Sequence, residues 1–570
     1  MGNKLDKKFT VLNNSKPKEE KSDEKVFKDN ATGASSAAYT EFEETADSNV
    51  ADLNSKHTRV VQRRLGHPDV NPLLKINYDG KNFKDTKGPK NYKLPLLKRG
   101  EKRARVLFVM VDQWDRIPYW TFGPSYLAAV LEANGYEVEI FNGTCWHLTP
   151  KDLEKFLSER EHFEFVGIGF LTNYVHSVIE HIKAIRSASP DSKVILGGNG
   201  FSPLPAFYLE KTGADYGVSG EAENSMLNLL NSLVLGESVE NLPSVSFRDG
   251  KDIYVSDKRE PVPNILEIPQ PAYHLFPIES YIWYEGRGYH KGVKAFNILT
   301  SRGCPYRCNF CYRLEEGFRY RAFDDVVAEF RFLYERYGIL HFNMSDELFM
   351  TSKKHVTKFS EQMIEAKDQG LLPRELSWET TGRFNIVDQD VCNAMAASGC
   401  NRILYGLESG DTKVLELMNK KTSYEMIEDG VDATMAAGME VQLPCMFGNI
   451  GETADSVKKT VTLLKKYGGS DMRLLRPVTP YPGSPLYQYA LEKGLLRDHD
   501  HFFEISKNPD LLTVNFTEMD NHTFYKVMYE ANEELIDDYH DRMKVIQKKS
   551  FENLYFQDDD GEFQPVDHRR

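Results

Sequence analysis

Between Arg105 and Val218 short apolar runs alternate with stretches whose apolar residues recur every three or four positions, the pattern of strands and amphipathic helices taking turns. The runs predict strands over Arg105–Val111, Glu137–Phe141, Phe165–Phe170, Lys193–Leu196 and Tyr216–Val218. Gly123–Asn134 reads as a helix closed by Gly135, and Pro150 behind Thr149 reads as the start of another. Proline needs no amide partner at a first helical position, and threonine caps with its hydroxyl. Five strands separated in this way build a doubly wound parallel sheet. Past Leu235 a hairpin around Asp249–Gly250 leads into a Pro-rich stretch, Pro261 to Pro277.

A second series opens at Phe296, with strands expected over Phe296–Thr300, Leu340–Met344, Leu376–Thr380, Arg402–Leu407, Glu440–Met446 and Met472–Pro477. Helical stretches such as Asp324–Tyr337 and Lys353–Lys367 separate them. Such units curl into a partial barrel, whose ligands gather at the carboxyl ends of the strands. The fold class is therefore α/β: a doubly wound domain, a partial (β/α)6 barrel and a C-terminal α-rich extension. The expected boundaries are a disordered tail 1–58, a basic wrapping segment 59–103, the doubly wound domain 104–240, a linker 241–294, the barrel 295–490, an extension 491–550 with a helix Asn521–Lys548, and a disordered tail 551–570. The first tail lacks the apolar content that would offset its ordering entropy. Within the last, Glu552-Asn-Leu-Tyr-Phe-Gln557 reads like a protease recognition sequence and carries no fold argument.

A chain of 570 residues with 41% hydrophobic content exceeds what one core organises. No apolar run reaches the length of a bilayer crossing. The amino-terminal stretch has neither the core of a secretory signal nor the character of a transit peptide. Asp6 stands where myristoylation asks for Ser or Thr, so a cytoplasmic, membrane-free protein is expected. Lys and Arg number 71 against 85 Asp and Glu, a net charge of -14, which argues against a nucleic-acid partner. Seven cysteines are too few for a disulfide framework, and three fall within eight residues, as in a metal site.

That trio is Cys304-Pro-Tyr-Arg-Cys308-Asn-Phe-Cys311, directly after the first barrel strand. Three thiolates can hold three irons of a cubane and leave the fourth open, whereas electron-transfer clusters use four cysteines. A structural zinc is the other reading; it wants a fourth ligand, which His290 could supply.

With Phe310 before its third cysteine, this string resembles the signature of the radical S-adenosylmethionine (SAM) enzymes, and the likeness extends from Asn297 to Tyr487. It implies a [4Fe–4S] cluster on Cys304, Cys308 and Cys311, with SAM chelating the open iron. Asp346-Glu347, after the second strand, resembles the segment that receives the SAM amino group. Arg383 follows the third strand, Gly406-Leu-Glu408-Ser409-Gly410 the fourth, Met446-Phe-Gly448 the fifth and Pro480–Pro485 the sixth. The resemblance makes Phe310, Asp346, Glu347, Arg383, Glu408, Ser409 and Gly448 the expected SAM-binding residues. Of the other cysteines, Cys145, Cys392 and Cys400 are expected to be buried or free thiols, and Cys445 is a candidate catalytic residue at a strand end.

The segment from Arg105 to Leu235 resembles the cobalamin-binding domain that precedes the barrel in cobalamin-dependent members, in particular the class B radical SAM methyltransferases. The likeness rests on Thr121–Val130, Gly169–Asn173, Leu196–Ser202 and Ser219–Glu223. It implies cobalamin contacts at Ser125, Thr172, Asn173, Gly197, Gly198, Asn199, Gly200, Ser219, Gly220 and Glu221. The Asp-x-His-x-x-Gly pattern that supplies a histidine to cobalt is absent, and His147, His162, His176 and His181 lack its context. The resemblance then implies base-off cobalamin, the alternative being a domain of this shape without cobalamin. Methylthiotransferases carry three further cysteines in the preceding domain, where this chain has only Cys145.

The implied activity is methylation of an unactivated carbon, or phosphorus, in a small metabolite or peptide, through a 5′-deoxyadenosyl radical and methylcobalamin. An electron donor such as flavodoxin or ferredoxin is implied with it. The alternatives are a radical cyclisation or rearrangement using cobalamin without methyl transfer and, in a different class, a non-catalytic cobalamin-binding sensor.

Overall fold

A computed structural model describes residues 103–557, except 113–119, 261–264, 286–292, 469–471, 507 and 509, together with 77–78, 81–82 and 563–565. Contacts divide the chain into 1–62, outside the described residues, and 63–570, the unit described below. The tail expected over 1–58, nearly all of the wrapping segment 59–103 and the zinc candidate His290 lie outside the described residues.

The first domain consists of β1 (Arg105–Met110), α1 (Phe122–Ala133), β2 (Glu137–Asn142), α2 (Pro150–Ser158), β3 (Phe165–Gly169), α3 (Val175–Ala188), β4 (Lys193–Gly197), α4 (Pro205–Thr212), β5 (Tyr216–Val218) and α5 (Glu223–Leu235). The strands stand in the order β2-β1-β3-β4-β5, all parallel. This is a doubly wound order whose switch point lies between β1 and β3, where ligands of such sheets bind. The apolar runs are buried on both faces, Val106 and Val166 among them, as a sheet covered by helices on both sides requires. Thr149 caps α2 by accepting from the Asp152 amide, and Asp152 returns the bond to Thr149.

The linker expected over 241–294 is corrected by the structure. Its hairpin, β6 (Val245–Asp249) and β7 (Asp252–Val255), joins the sheet antiparallel at the β5 edge, making seven strands. Ile268, Tyr273, Phe276 and Tyr281, the last in α6 (Ile278–Glu285), are buried in one apolar core shared by both domains. Trp120 fills the seam, stacked on Tyr273 at 5.5 Å and edge-on to Tyr281.

The second domain runs β8 (Ala295–Ile298), β9 (Ser301–Gly303), β10 (Phe318–Tyr320), α7 (Phe323–Tyr337), β11 (His341–Met344), α8 (Lys353–Asp368), β12 (Ser377–Gly382), α9 (Gln389–Ser398), β13 (Cys400–Tyr405), α10 (Tyr424–Ala436), β14 (Glu440–Gln442), β15 (Met446–Phe447), α11 (Ala454–Lys466) and β16 (Arg476–Pro477). Strands β8-β11-β12-β13-β14 form one parallel sheet, while β15 and β16 pair apart from it. The fifth expected strand, Glu440–Met446, breaks at Pro444, which has no amide to donate. The Pro444 carbonyl instead accepts from the amides of Leu407 and Glu408. An isolated bridge between Glu408 and Cys445 carries the curve onward.

The extension contributes α12 (Pro485–Glu492), α13 (His499–Ile505) and α14 (Asn521–Leu554), which packs on α11. The tail expected to be disordered from 551 instead continues α14 to Leu554, and Tyr555–Gln557 pairs with Phe563–Pro565. Among the described residues no helix is long and apolar enough to cross a membrane.

Candidate functional site

The three-cysteine string lies in the loop between β9 and β10, an antiparallel pair that puts Gly303 opposite Phe318. Each strand has only three residues, too few for a periodic signal, and the pairing was not foreseen in the sequence. A neighbouring loop and the start of α12 hold the string from outside. The Asn309 amide donates to the Met418 carbonyl at 2.9 Å, the Leu486 amide to the Asn309 carbonyl at 2.8 Å, and Asn419 Nδ2 to the Arg307 carbonyl at 2.7 Å.

Cys308 is buried, Cys304 half-buried and Cys311 exposed at the opening. Surrounding protein pushes the Cys311 thiol up to about 11, with Cys308 and Cys304 adding to the effect. Cys304 is raised by burial too. Ligation needs thiolates, so metal uptake at this loop releases protons and weakens as pH falls. Arg383 presents Nη1 3.9 Å from Cys308 Sγ and lies over the Tyr306 ring at 3.7 Å. A buried guanidinium beside thiolates offsets part of their charge. This donor set fits a cubane with one open iron: three sulfurs on one loop and cationic groups around them.

The expected SAM residues divide. Glu347 stands accessible at the mouth, its carboxyl raised by desolvation and by Glu221. Asp346 is buried and turned the other way: it accepts from the Thr300 amide at 2.7 Å, the Ser301 amide at 3.0 Å and the Thr300 hydroxyl. Both its oxygens hold the turn from β8 into β9, so the structure gives Asp346 a positioning place. Glu408, at φ 62°, is buried and paired with Lys420 Nζ at 2.7 Å. Lys420 lies 5.8 Å from the Phe310 ring centre, and its carbonyl accepts from Arg383. Ser409 is buried; Gly448, also in the left-handed region, donates its amide to Glu452 at 2.5 Å.

Lys420 and Glu452 escaped the sequence reading. Glu452 is buried, and burial pushes its carboxyl up to about 8. Thr453, directly after Glu452, caps α11 and marks the helix start but not the carboxylate; Lys420 had no local signal. Cys445 is half-buried beside Glu408, and burial with the carboxylates of Glu408 and Glu452 pushes its thiol up to about 12. A thiol so held is a poor nucleophile.

At the carboxyl ends of β1, β3, β4 and β5 a cavity of about 480 Å³ opens towards the barrel. Its wall is mostly apolar or glycine: Phe108, Met110, Gly167, Gly169 and Leu171 on one side, Gly197, Gly198 and Asn199 on another. Ser301, Arg302 and Glu347 contribute from the barrel. Gly198 adopts φ 84°, and a Cβ there would lie 3.3 Å from the Phe170 backbone. A broad, flat ligand able to approach bare backbone fits such a wall. Among the expected cobalamin contacts, Gly197, Gly198, Asn199, Gly220 and Glu221 line the cavity.

The others do not. Ser125 is fully buried and donates to the Phe122 carbonyl, Asn173 donates to the Tyr481 hydroxyl across the domain boundary, and Thr172, Gly200 and Ser219 are buried behind the wall. His147 pairs with the buried Asp112 carboxylate at 3.2 Å. The thiols Cys392 and Cys400 are buried and Cys145 is half-buried.

Two family models match the chain: the B12 binding domain over residues 119–230 and the radical SAM superfamily over 298–464. An uncharacterized methyltransferase of Pyrococcus horikoshii is 28% identical over 378 residues, 66% of this chain and 79% of its own length. An anaerobic magnesium-protoporphyrin IX monomethyl ester cyclase of Rubrivivax gelatinosus is 25% identical over 68% of either chain. Among solved structures, the radical SAM methyltransferase TsrM of Kitasatospora setae, with cobalamin and a [4Fe–4S] cluster bound, shares the fold at TM-score 0.58 and 21% identity, over 69% of this chain and 78% of that one. The chain is a radical SAM enzyme with an amino-terminal B12-binding domain, and its cofactors are a [4Fe–4S] cluster, S-adenosylmethionine and cobalamin.

Proposed function

We propose that this enzyme methylates an unactivated carbon, or phosphorus, of a small metabolite or peptide. The observation that carries the reading is the meeting of the glycine-lined cavity with the mouth of the cysteine loop, where Arg302 and Glu347 belong to both. When bound, the cofactors supply a hydrogen-abstracting 5′-deoxyadenosyl group and a transferable methyl group. Cys304, Cys308 and Cys311 would hold the cluster. Glu347 would accept from the SAM ammonium, while Lys420, steered by Glu408, supplies positive charge near its carboxylate. Gly197, Gly198, Asn199 and Gly220 would let the corrin lie on backbone. Leu171 and Leu314 wall the space between the two and exclude water from it.

An electron donor such as flavodoxin or ferredoxin and a cytoplasmic setting belong to the same proposal. So do the domain limits 104–240 and 295–490, with the extension from 491 shaping the substrate side. The likeness to the cyclase favours a second reading, ring closure without methyl transfer. Mass spectrometry decides between them once a substrate is in hand. A product heavier by one methylene group, labelled from methyl-deuterated SAM, is expected; an unlabelled product two hydrogens lighter would overturn methylation.

A further inference from the structure

Five charged side chains meet between the turn after β5 and the β9–β10 pair. Glu221, in the turn after β5, takes a two-pronged grip from Arg319 of β10, Nη2 to Oε1 at 2.6 Å and Nη1 to Oε2 at 2.8 Å. Glu223, at the start of α5, pairs with Arg302 of β9 at 2.7 Å, and Arg302 also reaches Glu221 at 3.7 Å. Both glutamates are buried. A third contact comes from the cysteine loop itself, where Glu315 Oε1 accepts the Glu221 amide at 3.2 Å. It occupies the space a Cβ on Gly220, at φ 83°, would fill.

These contacts tie one wall of the cavity to both strands that carry the cysteines. Arg302 stands two residues before Cys304, and its side chain lines the cavity together with Glu221 and Glu223. An occupant of the cavity therefore touches the ends of the bonds that fix β9 and β10. Buried charges are costly without partners, and a bidentate guanidinium–carboxylate pair fixes angle as well as distance. The turn 219–223 and the pair β9–β10 accordingly move together.

We propose that the Glu221–Arg319 and Glu223–Arg302 pairs form a latch that couples filling of the B12-domain cavity to the seating of SAM at the cysteine loop, with both arginines as positioning residues. The inference rests on the proposed cofactor placement. Linkage makes it reciprocal: the factor by which SAM tightens cobalamin equals the factor by which cobalamin tightens SAM.

The test uses the full chain with its cluster reconstituted, titrated with hydroxocobalamin by absorbance, with and without SAM, and with SAM in the reverse order. For the wild type, mutual tightening of about fivefold or more is expected. Arg319 lies outside the cavity wall, so R319Q is expected to keep its iron and sulfide while the mutual factor falls to about one. R319K, which keeps a cation facing Glu221 and leaves the cavity wall intact, should regain part of it. Full coupling in R319Q overturns the latch, as does R319K without coupling; R319K decides where R319Q does not fold. A wild type that binds both molecules with no mutual effect overturns the latch and leaves the proposed function standing. A wild type that takes up no hydroxocobalamin overturns the cobalamin reading and the latch with it.

Discussion

The cavity of the first domain and the mouth of the second are built by opposite means. The cavity is shaped by what is missing: glycines at 167, 169, 197, 198 and 220 expose backbone between apolar side chains. The cysteine loop is crowded with polar side chains, each bonded to a neighbour, among them Arg383, Glu408, Lys420 and Asn309. A large ligand can be admitted by removing side chains, because its own shape supplies the contacts. A small ligand that must be held at one angle needs side chains held first.

The comparison breaks most readily at the cysteines. C308A is expected to lose the cluster and, with it, SAM cleavage by a factor of about 1,000 or more, while hydroxocobalamin binding survives. Iron and sulfide content and 5′-deoxyadenosine release measure it. The converse is G198V, which presses the cavity wall against the Phe170 backbone and forces a branched residue into the left-handed region at a cost of about 1–2 kcal/mol. Hydroxocobalamin affinity is expected to fall at least tenfold with iron content unchanged.

Effects on stability come next. D346A strands two buried amides in the turn below the cysteine loop, and denaturant unfolding should show a loss of about 3 kcal/mol. Glu452 gives a pH dependence of definite sign. Its carboxyl is raised to about 8 when folded, so between about pH 4.5 and 8 the folded protein binds more protons than the unfolded chain. Stability falls as pH rises through that window, by at most about 1.4 kcal/mol per pH unit. E452Q should flatten the profile of melting temperature against pH. The smallest effect is expected for K465A, which breaks the exposed pair with Glu534 between α11 and α14; its change should stay under about 0.5 kcal/mol.

Legibility in the sequence followed the range of the interactions. β5 was readable to the residue and β1 and β2 to within one at the C-terminal end, because their burial pattern is local. The cysteine string was readable because its chemistry lies within eight residues. The β9–β10 pair was not, since its strands are short and 14 residues of loop separate them. Asp346 and Glu347 look alike as neighbours in a string, and only the fold turns one into the β8–β9 turn and the other to the mouth. The stretch 241–294 looked like a connector because its prolines mask apolar residues that the fold buries between the domains. Lys420 finds Glu408 across 12 residues, a pairing no periodicity announces.

Glu408 deserves a last consideration as a target for protein engineering. A non-glycine residue at φ 62° carries backbone strain of about 1–3 kcal/mol, so a screen that rewards heat resistance alone would favour Glu408→Gly. That change would relax the main chain and, in the same stroke, set free the ammonium of Lys420 beside Phe310. A sturdier protein obtained in this way should be a poorer catalyst, and thermal selection on this chain is best run with a turnover assay beside it.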